Sequence, residues 1–247
     1  MKKVFVLLLG ALIISTGLVI AGGKAHWGYS GHEGPAHWGD LSAEYSICGS
    51  GKNQSPINLT GMIEADLPAI NFNYKNSSLE VVNNGHTIQA NYAGGSTIRI
   101  DGKTFKLIQF HFHTPSENNI EGKSFPMEAH LVHADNDGNL AVVSVMFTKG
   151  KANLSVGKVW EHMPKKAGKT NTVSGTSINI MDMLPKNKAY YRFNGSLTTP
   201  PCTEGVRWFV LKDSVQVSAD QVKEFHSVMH HDNNRPIQPR YARPVMK

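Results

Sequence analysis

Hydrophobic and β-branched residues occur in short runs along most of the chain, and turn signals separate these runs at intervals of roughly 8–15 residues. The turn signals include Asn84-Gly85, Gly94-Gly95 and Asp101-Gly102. This pattern is typical of strands joined by hairpins and predicts one β-rich domain. The predicted strands span residues 81–82, 87–90, 97–100, 105–113, 127–133, 140–147 and 206–211.

Helical patterns are few and short. Downstream of Ser218, a candidate N-cap residue, apolar side chains follow the i, i+3, i+7 spacing that predicts a helix with one apolar face. A second short helix is predicted over residues 151–162. The glycine-rich stretch after residue 22 is predicted to pack as an arm through Trp27, Tyr29 and Trp38.

The first 21 residues have the three zones of a secretory signal peptide. Lys2 and Lys3 give a positive start, an almost wholly apolar stretch follows, and small residues precede a predicted cleavage after Ala21. An uncleaved membrane anchor is the alternative, because the apolar stretch is near the lower length limit for a membrane span. We expect cleavage, which leaves residues 22–247 as one periplasmic or secreted domain with no stable membrane span.

The formal net charge is +6 from 25 basic and 19 acidic residues, and it becomes +4 without Lys2 and Lys3. Charged residues make up 18% of the chain, which is too few for a charge-rich disordered protein. The basic residues are scattered and are not interleaved with aromatic ones. Nucleic acid is therefore not expected as a partner.

The chain has two cysteines, Cys48 and Cys202. In an oxidising compartment an even number of cysteines favours a disulfide, and two free buried thiols are the alternative. A bridge would close a loop of more than 150 residues, for which the chain-entropy model gives a stabilisation of at most about 4–5 kcal/mol. Neither cysteine has a partner at CxxC spacing, so a thiolate metal site is poorly supported.

Histidine is abundant, with 12 residues, and several histidines stand at strand spacing. Side chains alternate between the faces of a strand, so Gln109, His111 and His113 share one face of the predicted strand 105–113. The opposite face is predicted to enter the core and carries Ile108, Phe110 and Phe112. Two histidines at i and i+2 project side by side and can bind one metal ion.

A second predicted strand supplies a third imidazole. An antiparallel neighbour over residues 127–133 would place His130 beside His111 and His113. Three imidazoles with an open position form a catalytic zinc site, whereas a closed structural site needs a fourth protein ligand. His133 points to the other face of its strand and is interpreted as a buried structural histidine.

Two polar residues are expected to support these ligands. Gln109 and Glu128 each lie two residues from a predicted ligand and on the same face. A metal-binding histidine usually donates its other ring N–H to such a group, which orients the ring. An ordinary buried hydrogen-bonded pair is the alternative.

Several longer motifs stand along the chain between residues 26 and 239. They are His26-Trp27-Gly28-Tyr29, Gly34-Pro35-Ala36-His37-Trp38, Asn53-Gln54-Ser55-Pro56-Ile57-Asn58, Asn83-Asn84-Gly85-His86, Gln109-Phe110-His111-Phe112-His113, Glu128-Ala129-His130-Leu131-Val132-His133, Ser196-Leu197-Thr198-Thr199-Pro200-Pro201-Cys202-Thr203-Glu204-Gly205 and Asn234-Arg235-Pro236-Ile237-Gln238-Pro239. With these motifs the chain resembles the α-class carbonic anhydrases, of the exported bacterial kind, nearly end to end.

This resemblance implies a mainly β (α+β) single domain with a large twisted, mostly antiparallel central sheet and short surface helices. It implies a zinc enzyme that reversibly hydrates carbon dioxide to bicarbonate and a proton by attack of a zinc-bound hydroxide. One Zn²⁺ per chain would be held by His111, His113 and His130 at the base of a cleft. Exported bacterial relatives are often homodimers.

The resemblance also implies roles for other residues. Thr198 would accept a hydrogen bond from the hydroxide and donate its own proton in a hydrogen bond to Glu117. His86 would shuttle the proton out of the cleft, and the unperturbed histidine pKa of about 6.5 suits that task. The apolar substrate wall would comprise Val132, Val142, Leu197 and Trp208. The water chain would be ordered by Tyr29, Asn84, Gln89 and Thr199.

Cys48 and Cys202 match the disulfide positions of exported members of the family. Their bridge would pin the loop of residues 197–199. One departure is Asn118, because the family usually has Ser-Glu-His where this chain has Ser116-Glu117-Asn118. Asparagine can donate and accept hydrogen bonds but is shorter than histidine, so we expect the contacts that position Glu117 to differ here.

Three other functions are weighed against the enzyme. A catalytically silent binding module typically lacks a zinc histidine, and all three are present here. A zinc hydrolase acting on esters is the second, although the HExxH arrangement of metalloproteases is absent from the sequence. A structural zinc protein is the third and would need a fourth ligand.

Overall fold

The computed structural model describes residues 25–247. The predicted signal peptide, residues 1–21, lies outside the described residues, and so does the predicted cleavage site. In the part of the chain that is described, no helix is long and apolar enough to cross a membrane.

Strands make up most of the regular structure. Within residues 25–247 they are β1 (Asn58–Leu59), β2 (Asn71–Asn73), β3 (Ser77–Asn83), β4 (Ile88–Asn91), β5 (Thr97–Ile100), β6 (Lys103–His113), β7 (Asn119–Ile120), β8 (Met127–Ala134), β9 (Leu140–Lys149), β10 (Lys169–Ile178), β11 (Tyr190–Ser196), β12 (Glu204–Leu211) and β13 (Val215–Val217). The helices are α1 (Trp38–Leu41), α2 (Ile47–Ser50), α3 (Leu154–Glu161) and α4 (Ala219–Met229), with short 3₁₀ turns at Gly31–Glu33, Ala43–Tyr45 and Ile180–Met183.

One large sheet contains eleven of these described strands. Its main path runs β10-β3-β4-β6-β8-β9-β12-β11, and β5, β2 and β13 pair at its margins. Neighbouring strands are antiparallel except that β9 pairs in parallel with β12 and β13. The predicted β-rich domain is therefore confirmed, and its sheet is mixed, with antiparallel pairs in the majority.

The strongly patterned strands were predicted closely. The prediction over 97–100 coincides with β5, and the predictions over 105–113 and 127–133 differ from β6 and β8 by two residues or fewer at either end. Two long strands, β10 and β11, were missed. The β10 strand lies at a sheet edge and most of its side chains are exposed, so its sequence lacks the apolar alternation of a half-buried strand.

The prediction that Ile108 enters the core is wrong. Its side chain is 47% exposed, whereas Phe110 and Phe112 are fully buried as predicted. The pairing of β6 with β8 shifts register between Leu107 and Gln109. A β-bulge of this kind inserts one extra residue, so the alternation of faces restarts after it.

Helices α3 and α4 pack against the strands of the main apolar core. Helix α4 begins at a capping box in which Ser218 and Gln221 each satisfy a backbone N–H of the other. Helix α3 is shorter than the predicted 151–162 and begins after Asn153, whose side chain accepts two backbone hydrogen bonds. Both helices contribute buried side chains to the main apolar core, among them Trp160 and Phe225.

Candidate metal centre

The three predicted ligands lie side by side on two neighbouring strands. His111 of β6 pairs directly with His130 of β8, and His113 follows two residues along β6 on the same face. The ring centroids are 5.0 Å apart for His111 and His113, and 4.5 Å apart for His113 and His130. One ligand nitrogen from each ring lies within 4.8 Å of the other two.

The outer ring nitrogens are already engaged by the protein. The Nδ1 atom of His111 lies 2.9 Å from Oε1 of Gln109, and Nδ1 of His113 lies 2.7 Å from the carbonyl oxygen of Asn233. For Gln109 the expected contact is therefore present. These acceptors require an N–H on Nδ1, which leaves Nε2 of both rings with a free lone pair.

Glu128 lies behind His130, where the sequence placed it. Its Oε1 atom is 2.9 Å from Nε2 of His130 and accepts a hydrogen bond from the Ser144 hydroxyl. Its Oε2 atom accepts the backbone N–H groups of Glu117 and Asn118, both at 2.8 Å. Burial alone would raise the pKa of Glu128, but His130 and the side-chain hydrogen bonds from Ser144 and Asn118 lower it to about 2.

Asn118 occupies the position where the sequence departs from the family pattern. Its side chain is fully buried and donates from Nδ2 to Oε1 of Glu128 at 2.8 Å. Its Oδ1 atom accepts the backbone N–H of Ile57 at 3.1 Å. Both the amide N–H and the amide oxygen of Asn118 therefore have hydrogen-bond partners, and the residue supplies Glu128 with a neutral hydrogen-bond donor.

Glu117 faces the histidines from the far side of the site. Its Oε2 atom lies 3.5 Å from Nε2 of His113, and its Oε1 atom accepts the backbone N–H of Arg235 at 2.8 Å. Burial raises the pKa of Glu117 to about 7, against the opposing influence of His130, the Arg235 N–H and the Thr198 hydroxyl. Thr198 itself is buried.

The predicted apolar wall is assembled across three adjacent strands. Val132 of β8 pairs with Val142 of β9, which pairs in turn with Trp208 of β12. The Trp208 ring lies 4.8 Å from the His130 ring, measured between centroids. Leu197, half-buried, packs against the same cluster. One face of the histidine group is therefore apolar and contains every residue predicted for that wall.

A cavity of about 130 Å³ opens above His111 and His113. His86 lines this cavity, and so do the four residues predicted to order water, which are Tyr29, Asn84, Gln89 and Thr199. Burial and the charge of Glu117 raise the pKa of Tyr29 well above 10, so its hydroxyl keeps its proton. The wall opposite the valines is therefore polar.

His86 lines this cavity and is stacked on Trp27 with ring centroids 3.7 Å apart. Partial burial, followed by repulsion from His26 and His231, lowers the pKa of His86 to about 4. This value lies below the unperturbed histidine pKa of about 6.5. The indole covers one face of the imidazole and excludes the water that would stabilise its charged form.

The cysteines form the predicted disulfide, and the alternative of two free thiols is excluded in this structure. The Cα atoms of Cys48 and Cys202 are 5.1 Å apart. The bridge joins α2 to the loop that follows Ser196 and contains Thr198. Trp38 and Tyr45 pack around it in the predicted aromatic arm, which also contains Trp27 and Tyr29.

The donor set fits a zinc ion. Nε2 of His113 is buried and has no hydrogen-bond partner among the described residues. Burial lowers the pKa of His111 and His113, so the rings are neutral, which is the form that binds a metal. His133 lies on the opposite face as predicted, fully buried and 2.8 Å from the Tyr74 hydroxyl, so it does not contribute a fourth ligand.

Several residues of the site were missed by the sequence analysis. Asn233, Arg235 and Ser144 fix His113, Glu117 and Glu128 through the contacts described above. The motif Asn234-Arg235-Pro236 identified a stretch of chain that reaches the site, but the sequence did not show that Arg235 contacts Glu117. Ser144 is a polar residue at the centre of the apolar strand β9, and that pattern could have identified it.

Comparison with known proteins gives a consistent result. A family model described as eukaryotic-type carbonic anhydrase matches residues 33–247. Relatives named carbonic anhydrase from Pectobacterium carotovorum and Neisseria gonorrhoeae are 48% and 49% identical, covering 90% and 92% of this chain and 91% and 89% of their own lengths. The α-carbonic anhydrase of Thermovibrio ammonificans, solved with the inhibitor sulfanilamide, aligns with a TM-score of 0.88 and 51% identity over 91% of this chain and 100% of that chain.

The family model spans most of the chain and both relatives match it over nearly their full lengths. The histidine group, its supporting acceptors and the fold all agree with that match. The chain belongs to the α-carbonic anhydrase family of zinc-dependent enzymes.

Proposed function

We propose that this protein catalyses the reversible hydration of carbon dioxide to bicarbonate and a proton. The observation that carries this proposal is the group of three histidines, with one side facing an apolar wall and the other facing a polar cavity. Carbon dioxide has no charge and no net dipole, which suits the apolar side. The product proton needs polar groups, which the other side supplies.

One Zn²⁺ would be held by His111, His113 and His130. In His111 and His113 the ligand atom would be Nε2, because Nδ1 is engaged by Gln109 and Asn233. In His130 the contact of Nε2 with Glu128 leaves Nδ1 for the metal. Zinc held by three imidazoles is a Lewis acid that lowers the pKa of a bound water to about 7.

Thr198 and Glu117 would orient the attacking oxygen. Glu117 is fixed by the Arg235 N–H, and its buried Oε2 atom, which has no hydrogen-bond partner among the described residues, would accept a hydrogen bond from the Thr198 hydroxyl. With its proton engaged, Thr198 can only accept a hydrogen bond from the nucleophile. The lone pairs of the nucleophile are then directed toward a substrate resting on Val142 and Trp208.

His86 would carry the proton from the cavity to bulk water. It lines the cavity above the metal site, and Tyr29, Asn84 and Gln89 offer polar atoms between them. Stacked on Trp27 it has a pKa of about 4 and does not retain a proton at neutral pH. We propose that the ring accepts the proton when it turns toward the cavity and releases it when it stacks on Trp27.

Export to the periplasm or outside the cell is proposed with the enzyme activity. A disulfide between Cys48 and Cys202 supports it, because such bridges persist mainly in oxidising compartments. The signal peptide over residues 1–21 and the homodimer stay predictions.

Stopped-flow carbon dioxide hydration on the purified mature protein, with zinc quantified in the same sample, tests the proposed activity. We expect fast hydration at about one zinc per chain, lost with a chelator and restored by zinc. Zinc at that ratio without hydration would contradict the proposal and would favour a silent binding module.

A further inference from the structure

The 53–58 segment, Asn53-Gln54-Ser55-Pro56-Ile57-Asn58, is part of the resemblance but has no role in the chemistry described above. It lies between the loop that contains Thr198 and the stretch of chain that fixes Glu117. Gln54 is 3% exposed and Ser55 is fully buried, so both are polar groups inside the protein. Buried polar groups are retained where their hydrogen bonds are satisfied, and here those bonds go in two directions.

One set of bonds holds the ends of the Thr198 loop. Nε2 of Gln54 donates to the carbonyl oxygen of Cys202 at 3.1 Å and lies 3.0 Å from Oε1 of Glu204. Ser55 exchanges two hydrogen bonds with Ser196, one from each backbone N–H to the opposite hydroxyl, at 2.8 and 3.1 Å. Ser196 precedes the loop and Cys202 ends it, so the segment holds both ends.

The other set of bonds fixes the Glu117 side. Oε1 of Gln54 and the carbonyl oxygen of Ser55 both accept from Nη1 of Arg235 at 2.8 Å. The Arg235 guanidinium is buried, lies over the Trp38 ring and donates from Nη2 to the Cys48 carbonyl. The backbone N–H of the same Arg235 donates to Glu117. Gln54 therefore holds the side chain of Arg235, and the backbone of Arg235 in turn holds Glu117.

The packing around the segment leaves little room for adjustment. A Cβ atom built on Gly51 would lie 2.5 Å from Nε2 of Gln54, and one built on Gly195 would lie 2.1 Å from the hydroxyl of Ser55. Glycine at both positions lets the neighbouring chain approach this closely. A displaced Gln54 amide would consequently move its partners rather than shift into free space.

We propose that Gln54 is a positioning residue that sets the distance between Thr198 and Glu117. Its amide does this because one end donates to the Thr198 loop while the other accepts from the Arg235 guanidinium. Asparagine and glutamine are the side chains that offer both a fixed donor and a fixed acceptor on one planar group. This inference rests on the proposed function, since Gln54 acts through the Thr198–Glu117 pair.

The test is a double-mutant cycle between Gln54 and Thr198, read as kcat/KM for carbon dioxide hydration per bound zinc. Gln54→Leu removes both ends of the amide at similar size. Gln54→Glu keeps the acceptor for Arg235 and removes the donor to Cys202. This variant replaces Gln54→Leu in the cycle if the leucine variant does not fold. Gln238→Leu is the matched control, because among the described residues the side-chain amide of Gln238 donates to the nearby Pro236 carbonyl alone, and its backbone N–H bond to Pro56 is kept in the variant.

We expect Gln54→Leu and Gln54→Glu to lower kcat/KM about tenfold when Thr198 is present, and less than about twofold in a Thr198→Ala background. The kcat limited by proton export in weak buffer should change much less, and Gln238→Leu should change neither quantity. Equal losses in both backgrounds, or no loss in kcat/KM, would overturn the inference. If Thr198→Ala alone leaves kcat/KM unchanged, the proposed orienting role of Thr198 fails instead, so the two failures are distinguishable.

Discussion

The metal-binding face of the sheet and the loops above it are held by different kinds of contact. On the sheet, His111 and His130 face each other because β6 and β8 pair in register along most of their length. In the loops, Glu117 is held by the backbone N–H of Arg235, and the Arg235 guanidinium donates to Gln54, so these contacts join residues distant in sequence. The ligands therefore depend on backbone pairing, and the orienting groups depend on individual hydrogen bonds.

This difference implies different responses to change. A ladder of backbone hydrogen bonds survives the loss of one side chain, so a ligand variant should leave the sheet intact and remove only the metal. The loop contacts are individually replaceable, and each loss should displace the orienting pair by a small distance. Displacements of about 1 Å can cost large factors in rate without loss of the fold.

The largest expected effect follows from removing a ligand on the sheet. His111→Ala, His113→Ala or His130→Ala should abolish zinc retention and lower hydration by on the order of 10³-fold or more, because the attacking water regains its ordinary pKa. Metal analysis and stopped-flow hydration measure both effects. His162→Ala, a histidine outside the metal group, should change neither. Full activity in a zinc-free ligand variant would refute the site.

The next effect concerns proton export by His86, which lies in the turn between β3 and β4. His86→Ala should lower kcat in weak buffer by about 10–100-fold and leave kcat/KM unchanged, since the proton leaves after hydration. Added imidazole should restore the rate. The control is His32→Ala, an exposed histidine of the arm. If imidazole gives no rescue, another group exports the proton.

Removing the disulfide tests how far the loops depend on that covalent link. The double variant Cys48→Ser/Cys202→Ser should lose up to about 4–5 kcal/mol of unfolding free energy, because the open chain gains conformational entropy when unfolded. Thermal or denaturant unfolding measures the loss, and zinc content should stay at the level of the parent protein. Two reactive thiols in the untreated parent protein would show that the bridge does not form.

A smaller effect is expected on the far face of β8. Burial lowers the pKa of His133 to about 4 from the ordinary 6.5, so only the unfolded chain takes up its proton between these values. Stability from this group is thus complete above pH 6.5 and declines by about 3 kcal/mol as the pH falls to 4. His133→Gln should remove this component from the pH dependence of unfolding. An unchanged dependence would mean that His133 titrates normally in the folded protein.

The sequence predicted the site residues on the sheet better than the site residues in the loops, because only the former follow a local pattern. Alternation along a strand is local, so the shared face of His111 and His113 can be inferred from their spacing. The bulge at Leu107 depends on how β8 pairs with β6, and Ile108 was misplaced because that pairing is not local. The acceptor for His113 comes from Asn233, 120 residues away, and spacing carries no information about such a contact.

Some residues were assigned through the family resemblance rather than through their local pattern. Thr198, Glu117 and His86 stand in loops where no periodicity marks them. Only in three dimensions does His86 line the cavity above the metal site and Glu117 lie 3.5 Å from His113. Asn118 shows the limit of that resemblance. The expected change in the contacts around Glu117 is taken up by an amide that satisfies Ile57 and Glu128 together.

The most direct test of the account is Thr198→Ala, measured for zinc content and kcat/KM in the same sample. If the sheet binds the metal and the loops orient the nucleophile, zinc should remain at about one per chain while kcat/KM falls about 100-fold. Loss of zinc with the threonine, or an unchanged kcat/KM, would contradict that division between the sheet and the loops.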